Sequence, residues 1–378
     1  MKFGSLILAA TLAAPTLSAA PQDPAKAKAA LQHYADNVYV VYSDAYTKAL
    51  SLQSAVAKFV AAPSAVTQIA AQNAWLNSRT VWGQTEVFRF YEGPIDDAAY
   101  GVEGLINAWP LDEAYIDYVD GNANAGIINN PSEFPVISEA TLLELNEKGS
   151  ETNIATGFHA VEFLLWGQDL STTGAGARPF TDFIVGRGQN ADRRAAYLTA
   201  VTSLLVKHIS VVRNAWDPKN PASYGSNFAK QDPNGALTNV FKGMVSLLVD
   251  ELAGERMYVG YESQSQEDEH SCFSDNTHTD IIENVQGVLN VWSGTYNGVA
   301  GVGMSEVIAA APAKNASKAL NAALAAAKSL PQPYDSLLVA PEDSEERKML
   351  LDTILTIQDA GTAVKEAAES VGVTLPTN

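Results

Sequence analysis

The 378-residue chain contains one cysteine, Cys272, so no disulfide can form within it and its stability has to come from packing. Basic residues are scarce: 24 Lys and Arg stand against 43 Asp and Glu, a formal net charge of −19. That balance argues against nucleic acid and anionic lipid headgroups as partners and is compatible with cation capture. Convincing runs of alternating strand residues are lacking, which excludes a sheet core. Short apolar stretches such as Gly126-Ile127-Ile128 read at most as local ribbons. Beyond the first twenty residues, no window approaches the length a membrane span requires.

Hydrolytic signatures are missing too. A helix-borne zinc peptidase motif needs His-Glu-x-x-His, but Ala160 follows His159 and Phe163 holds the fifth position; Phe163 also breaks the inverted form, His-x-x-Glu-His. A catalytic zinc would therefore have to recruit its base and remaining ligands from distant segments. There is no Gly-x-Ser-x-Gly elbow, and Cys272 has a nearby histidine but no third member of a triad.

What is present begins with an export signal. Lys2 precedes an uncharged stretch from Phe3 to Ala20 with small residues at Ser18-Ala19-Ala20, the order of a secretory signal peptide cut after Ala19. Without a cysteine near the cut, lipid attachment is not expected. The location implied is the periplasm, outer-membrane association being compatible with it. From residue 20 onward the chain is long enough for two cores.

Helical periodicity runs almost throughout. Leu31, Tyr34, Val38, Val41, Tyr42 and Ala45 mark a first helix over 25–60, and Ile69, Trp75, Leu76, Trp82 and Phe88 a second over 64–90. Further helices are expected over 139–148, from Asp192 to before Pro218, over 234–262 and 280–297, then from Pro312 and from Pro341 to about Ser370. Stretches 121–135, 171–179, 217–227 and 264–279 read as loops. The class expected is all-α: two antiparallel four-helix bundles, residues 20–186 and 187–378, each with its own core.

The segment Gly157-Phe158-His159-Ala160-Val161-Glu162, with Trp166-Gly167 after it, puts an imidazole and a carboxylate on one helix face at the margin of a core. Such a pair needs a partner, either a metal ion or each other. This Gly-x-His-x-x-Glu pattern resembles the signature of the imelysin-like proteins, a bacterial envelope family once classed as metallopeptidases and now mostly associated with iron uptake. Four more blocks match in order: Arg79-Thr-Val-Trp82-Gly-Gln-Thr-Glu86, Trp109-Pro110-Leu-Asp112, Arg178-Pro-Phe-Thr-Asp182-Phe183 and Gly254-Glu255-Arg256-Met257. This last block, with Gln266 to His278, is most similar to the branch named for iron-regulated protein A. The resemblance implies pseudo-symmetric bundles with the conserved site between them. It also implies a protein that holds iron, or a small iron-containing ligand, in that cleft, with other envelope iron-uptake components as partners. A zinc metallopeptidase is the alternative.

Two ligands do not make a metal site. Glu86, on one stripe with Arg79 and Trp82, is the first additional candidate, the alternative being an Arg79–Glu86 salt bridge. Asp112 could ligate or interact with a helix dipole. The stretch Glu267 to Asp280 packs five carboxylates and two imidazoles into fourteen residues without the calcium-loop spacing. From it His270 and Asp275 are the expected cleft residues, with Arg256 orienting a carboxylate; Arg178, Asp182 and Glu255 complete the set. His33 and His208 read as packing histidines.

Overall fold

The computed structural model describes residues 23–375, so the signal segment 1–19 and its cut after Ala19 lie outside the described residues. The first helix, Pro24–Ala61, starts where Asp23 accepts hydrogen bonds from the backbone N–H groups of Ala25 and Lys26 and proline occupies the first turn. Its buried residues Leu31, Tyr34, Val38, Val41, Tyr42, Leu52, Val56 and Phe59 form the stripe that period 3.6 requires. Each large side chain buried this way contributes about 1.5–3 kcal/mol of transfer free energy.

That stripe packs against helices Ala65–Gly83 and Ala191–Ala215, and helix Gly157–Trp166 closes the group. A second group comprises Pro233–Ser246, its direct continuation Leu247–Tyr258, and helices Thr277–Ser293, Ala310–Ser329 and Glu345–Glu369. Thr277–Ser293 also packs on Ala65–Gly83, and one connected cluster of buried apolar residues runs through both groups. The protein is all-α. Among the described residues the sole sheet is the ribbon pairing Thr295–Tyr296 with Val299–Ala300.

Helix Ala191–Ala215, which a division at residue 186 places with the second group, packs mainly on the first. Tyr197, Leu198, Val201, Leu205, Ile209 and Val212 on it are buried. The same helix corrects the expectation that no later window could span a membrane: by length and composition it passes, with a mean hydropathy of 1.5. Half of that window is buried inside the protein, and Arg194 is ion-paired with Asp117, as suits a core helix.

Three local expectations are also corrected. Gly126-Ile127-Ile128 forms a helical turn, Gly126–Asn129, because the side chains of Asn129 and Asn130 donate back to the carbonyls of Ala125 and Gly126. The helix expected over 64–90 stops at Gly83, and Glu86 sits in a separate 3₁₀ turn, Glu86–Phe88. Glu86 therefore does not continue the Arg79–Trp82 stripe. Finally, Leu247–Tyr258 is wound as a π-helix, a rare geometry that recurs at functional sites. It carries Glu251, Glu255 and Arg256 to the cleft described next.

Candidate functional site

Gly157 opens the His159 helix with φ +87°, and a Cβ there would lie 2.6 Å from the Ile106 carbonyl oxygen. Only glycine fits. The close approach lets Phe158 N–H donate to Ile106 O at 2.8 Å, which ties the helix to the segment bearing Asn107 and Trp109. All ten residues of Gly157–Trp166 are buried. His159 and Glu162 consequently bond to each other, Nδ1 to Oε2 at 2.9 Å. The remaining oxygen, Oε1, accepts from Ser274 N–H at 3.0 Å and from Ser274 O–H at 2.6 Å. His159 Nε2 has no partner. Its ring lies edge-on to His270 with centroids 4.8 Å apart, and Trp109 covers it at 5.0 Å.

His270 repeats the arrangement. Its Nδ1 lies 2.8 Å from Asp280 Oδ2, and its Nε2 lies 3.4 Å from Asn107 Nδ2. Arg79 holds Asp280 from the other side, donating at 2.9 Å to Oδ2, and also donates to Asn107 Oδ1; its guanidinium stacks over Phe158 and Trp75. Glu86 accepts from Arg256 at 2.6 Å and from Arg89 at 2.7 Å, while Asn107 Nδ2 reaches its other oxygen at 3.4 Å. Arg256 bridges onward to Asn284 and Glu251. Elements of both helical groups thus supply one buried polar network.

Above it opens a cleft of about 470 Å³. Six carboxylates line it, Glu103, Glu147, Glu151, Glu251, Glu255 and Asp268, with Arg89, Arg256, Asn107, Trp109 and His270. His159 and Glu162 lie behind His270 and Trp109 and do not line the cleft. Burial drives the ionisations. It pushes His159 well below the usual imidazole range, and it takes His270 down to about 4 with help from Arg256. Burial also lifts Glu162 to about 8, against the Ser274 hydrogen bonds. For Glu86 burial again acts upward but is outweighed by Arg256 and Arg89, which hold it at about 2.

Glu86 thereby links stability to acid. Its folded value lies below the ordinary 4.5, so its contribution is complete above about pH 4.5 and is lost as pH falls towards 2, on the order of 3 kcal/mol in all. Urea unfolding at pH 5 and pH 2 is expected to show that much more acid sensitivity in the wild type than in Glu86→Gln. Equal slopes would mean that the carboxylate is not held ionised by its arginines.

The remaining expected residues fall elsewhere. His159, Glu162, Glu86 and Asp112 do not converge as one ligand set. Asp112 is exposed and caps Glu113–Ile116 by accepting from Ala114 N–H. Trp82 is fully buried against Tyr42 and Phe158. Arg178 and Asp182 belong to a different cluster centred on Asp117, which accepts from Arg178 at 2.7 Å and from Arg194 at 2.6 and 2.8 Å. Asp275 joins Asp169 and Asp335, the one trio of acidic or imidazole donors within 4.8 Å of one another among the described residues. Burial and Asp335 raise Asp275 to about 7; burial raises Asp169 to about 6. Cys272 is buried with its thiol pushed up by burial, which suits no nucleophile. Ser274, Asn107 and Asn284 were invisible as site residues in the sequence, although Ser274 lies inside the block Ser-Cys-Phe-Ser.

An all-helical protein with a buried imidazole–carboxylate network between two bundles is the class defined so far. A sequence model described as imelysin matches residues 38–364, and the chain belongs to that family. It is 25% identical over 353 residues to a protein named iron-regulated protein A from Synechococcus elongatus, covering 90% of this chain and 84% of that one. A crystal structure described as a putative iron-regulated protein A precursor from Parabacteroides distasonis superposes with a TM-score of 0.72 at 17% identity, over 92% of this chain and 96% of the other. That likeness shows the fold.

Proposed function

We propose that this is a periplasmic iron-binding protein, not a peptidase, and that it takes up iron, alone or as a small iron-containing ligand, at the junction beneath the acid-lined cleft. The observation that carries the reading is the pair of adjacent buried imidazoles. In His159 and His270 alike, Nδ1 is bonded to a carboxylate, the arrangement that orients metal-ligating histidines, and His159 Nε2 is buried without a partner. Both rings are held neutral, the form that ligates. His159 and His270 would supply the nitrogen ligands, Glu162 would accept from His159 Nδ1 once ionised and so free Nε2, and Glu86 is the carboxylate beyond Asn107. The six carboxylates at the mouth attract cations, and the name of the Synechococcus relative supports iron over zinc.

Proteolysis through the His-x-x-Glu signature would need Glu162 free to act as base. Glu162 is buried with both oxygens engaged. With its carboxyl raised to about 8, the Glu162 proton bonds His159 Nδ1 at neutral pH and leaves the imidazole proton on Nε2. Ligation at Nε2 displaces that proton, so iron affinity should rise with pH by about tenfold per unit up to about pH 8. Equilibrium dialysis of the mature protein against iron at pH 6, 7 and 8 measures this directly, with an unfolded protein substrate added to the same samples. The expected result is a pH-dependent affinity and an intact substrate. Affinity independent of pH would contradict ligation by His159, and chelator-sensitive cleavage lost in Glu162→Gln would favour the peptidase.

A further inference from the structure

We infer that Asp169, Asp275 and Asp335 form a second, oxygen-only cation site of the calcium type that fastens the loop carrying His270 and Ser274. One carboxylate oxygen from each lies within 4.8 Å of the other two. Asp335 is fully buried, and neither of its oxygens meets a donor. Asp169 spends one oxygen on Ser171 N–H at 2.9 Å, while its other oxygen and Asp275 Oδ1 are buried without partners. Glu269, also fully buried, presses against Asp335. Four buried carboxylate oxygens of this trio meet no donor, so their charges have to be offset by shared protons or by a cation. A hard divalent cation supplies the missing counter-charge, and carboxylate oxygens without nitrogen or sulfur are the donors it prefers.

The three segments joined are distant in sequence: Asp169 follows the His159 helix, Asp275 ends the 3₁₀ turn Cys272–Ser274, and Asp335 begins the turn Asp335–Leu338 ahead of the last helix. Asp275 is adjacent to Ser274, which holds Glu162. A cation here would secure that loop without touching the imidazole site, and the inference does not depend on what the imidazoles bind.

Thermal melting of the mature protein after chelator treatment, with calcium chloride or magnesium chloride added back, tests it. Millimolar calcium is expected to raise the melting midpoint by about 5 °C or more. Asp335→Asn, which keeps the shape while removing one of the repelling charges, should remain folded without calcium yet gain nothing from it; Asp275→Asn should behave likewise. A wild-type midpoint unmoved by either cation would overturn the proposal, as would an equal calcium gain in both variants, since the ion would then bind elsewhere. If Asp335→Asn failed to fold, Asp275→Asn alone would decide.

Discussion

Replacing His159 with Ala should lower iron affinity by about a hundredfold or more, while Glu162→Gln and Ser274→Ala lower it by about tenfold to a hundredfold. The ordering follows from the contacts. His159 presents an unpartnered imidazole nitrogen, Glu162 orients that ring, and Ser274 orients Glu162 through two hydrogen bonds. Melting curves should remain close to wild type for Ser274→Ala, because the backbone N–H at position 274 still reaches Oε1. Titration calorimetry of the four proteins checks the series. Equal affinity in His159→Ala would make the His159–Glu162 pair a purely structural hydrogen bond.

The second large effect concerns folding. Asp117→Asn should destabilise the protein by about 3–5 kcal/mol, because it leaves the buried Arg194 guanidinium without a carboxylate and Arg178 with only Asp182 at 3.4 Å. Asp117 is fully buried between Arg178 and Arg194, and Asn129 donates to it as well. The cluster pins the loop before the Gly126 turn to the loop after the His159 helix, so the loss should appear as a lowered urea midpoint with an unchanged helical spectrum at zero denaturant. A change within about 1 kcal/mol would class the cluster with exposed ion pairs.

These two cases show how far the sequence could be read. Features encoded locally were legible: period 3.6 located the long helices, and Asp112 carries the helix-terminus role that its position after Trp109-Pro110 suggested. Gly157 and the helix it opens stood out because a glycine, an imidazole and a carboxylate share one turn. Partners set by docking were not legible. Arg256 lies 170 residues from Glu86, Ser274 lies 112 from Glu162, and Arg194 lies 77 from Asp117. No periodicity links such positions; they meet only after the two helical groups pack. For the same reason Arg178 and Asp182, adjacent to the signature in sequence, were expected in the cleft and instead complete a buried cluster at the other end of their loop. Gly83, the last residue of the second helix, packs so closely that a Cβ there would lie 2.8 Å from Glu283 Cβ, a contact set by tertiary packing.

The central claim is that two carboxylate-oriented imidazoles, His159 and His270, receive iron beneath the acid-lined cleft. X-ray absorption spectroscopy of the iron-loaded mature protein, compared with His159→Ala and His270→Ala, tests it most directly. The account predicts imidazole scattering around iron in the wild type that weakens in each variant. An iron shell made only of oxygen and unchanged by both substitutions would contradict it.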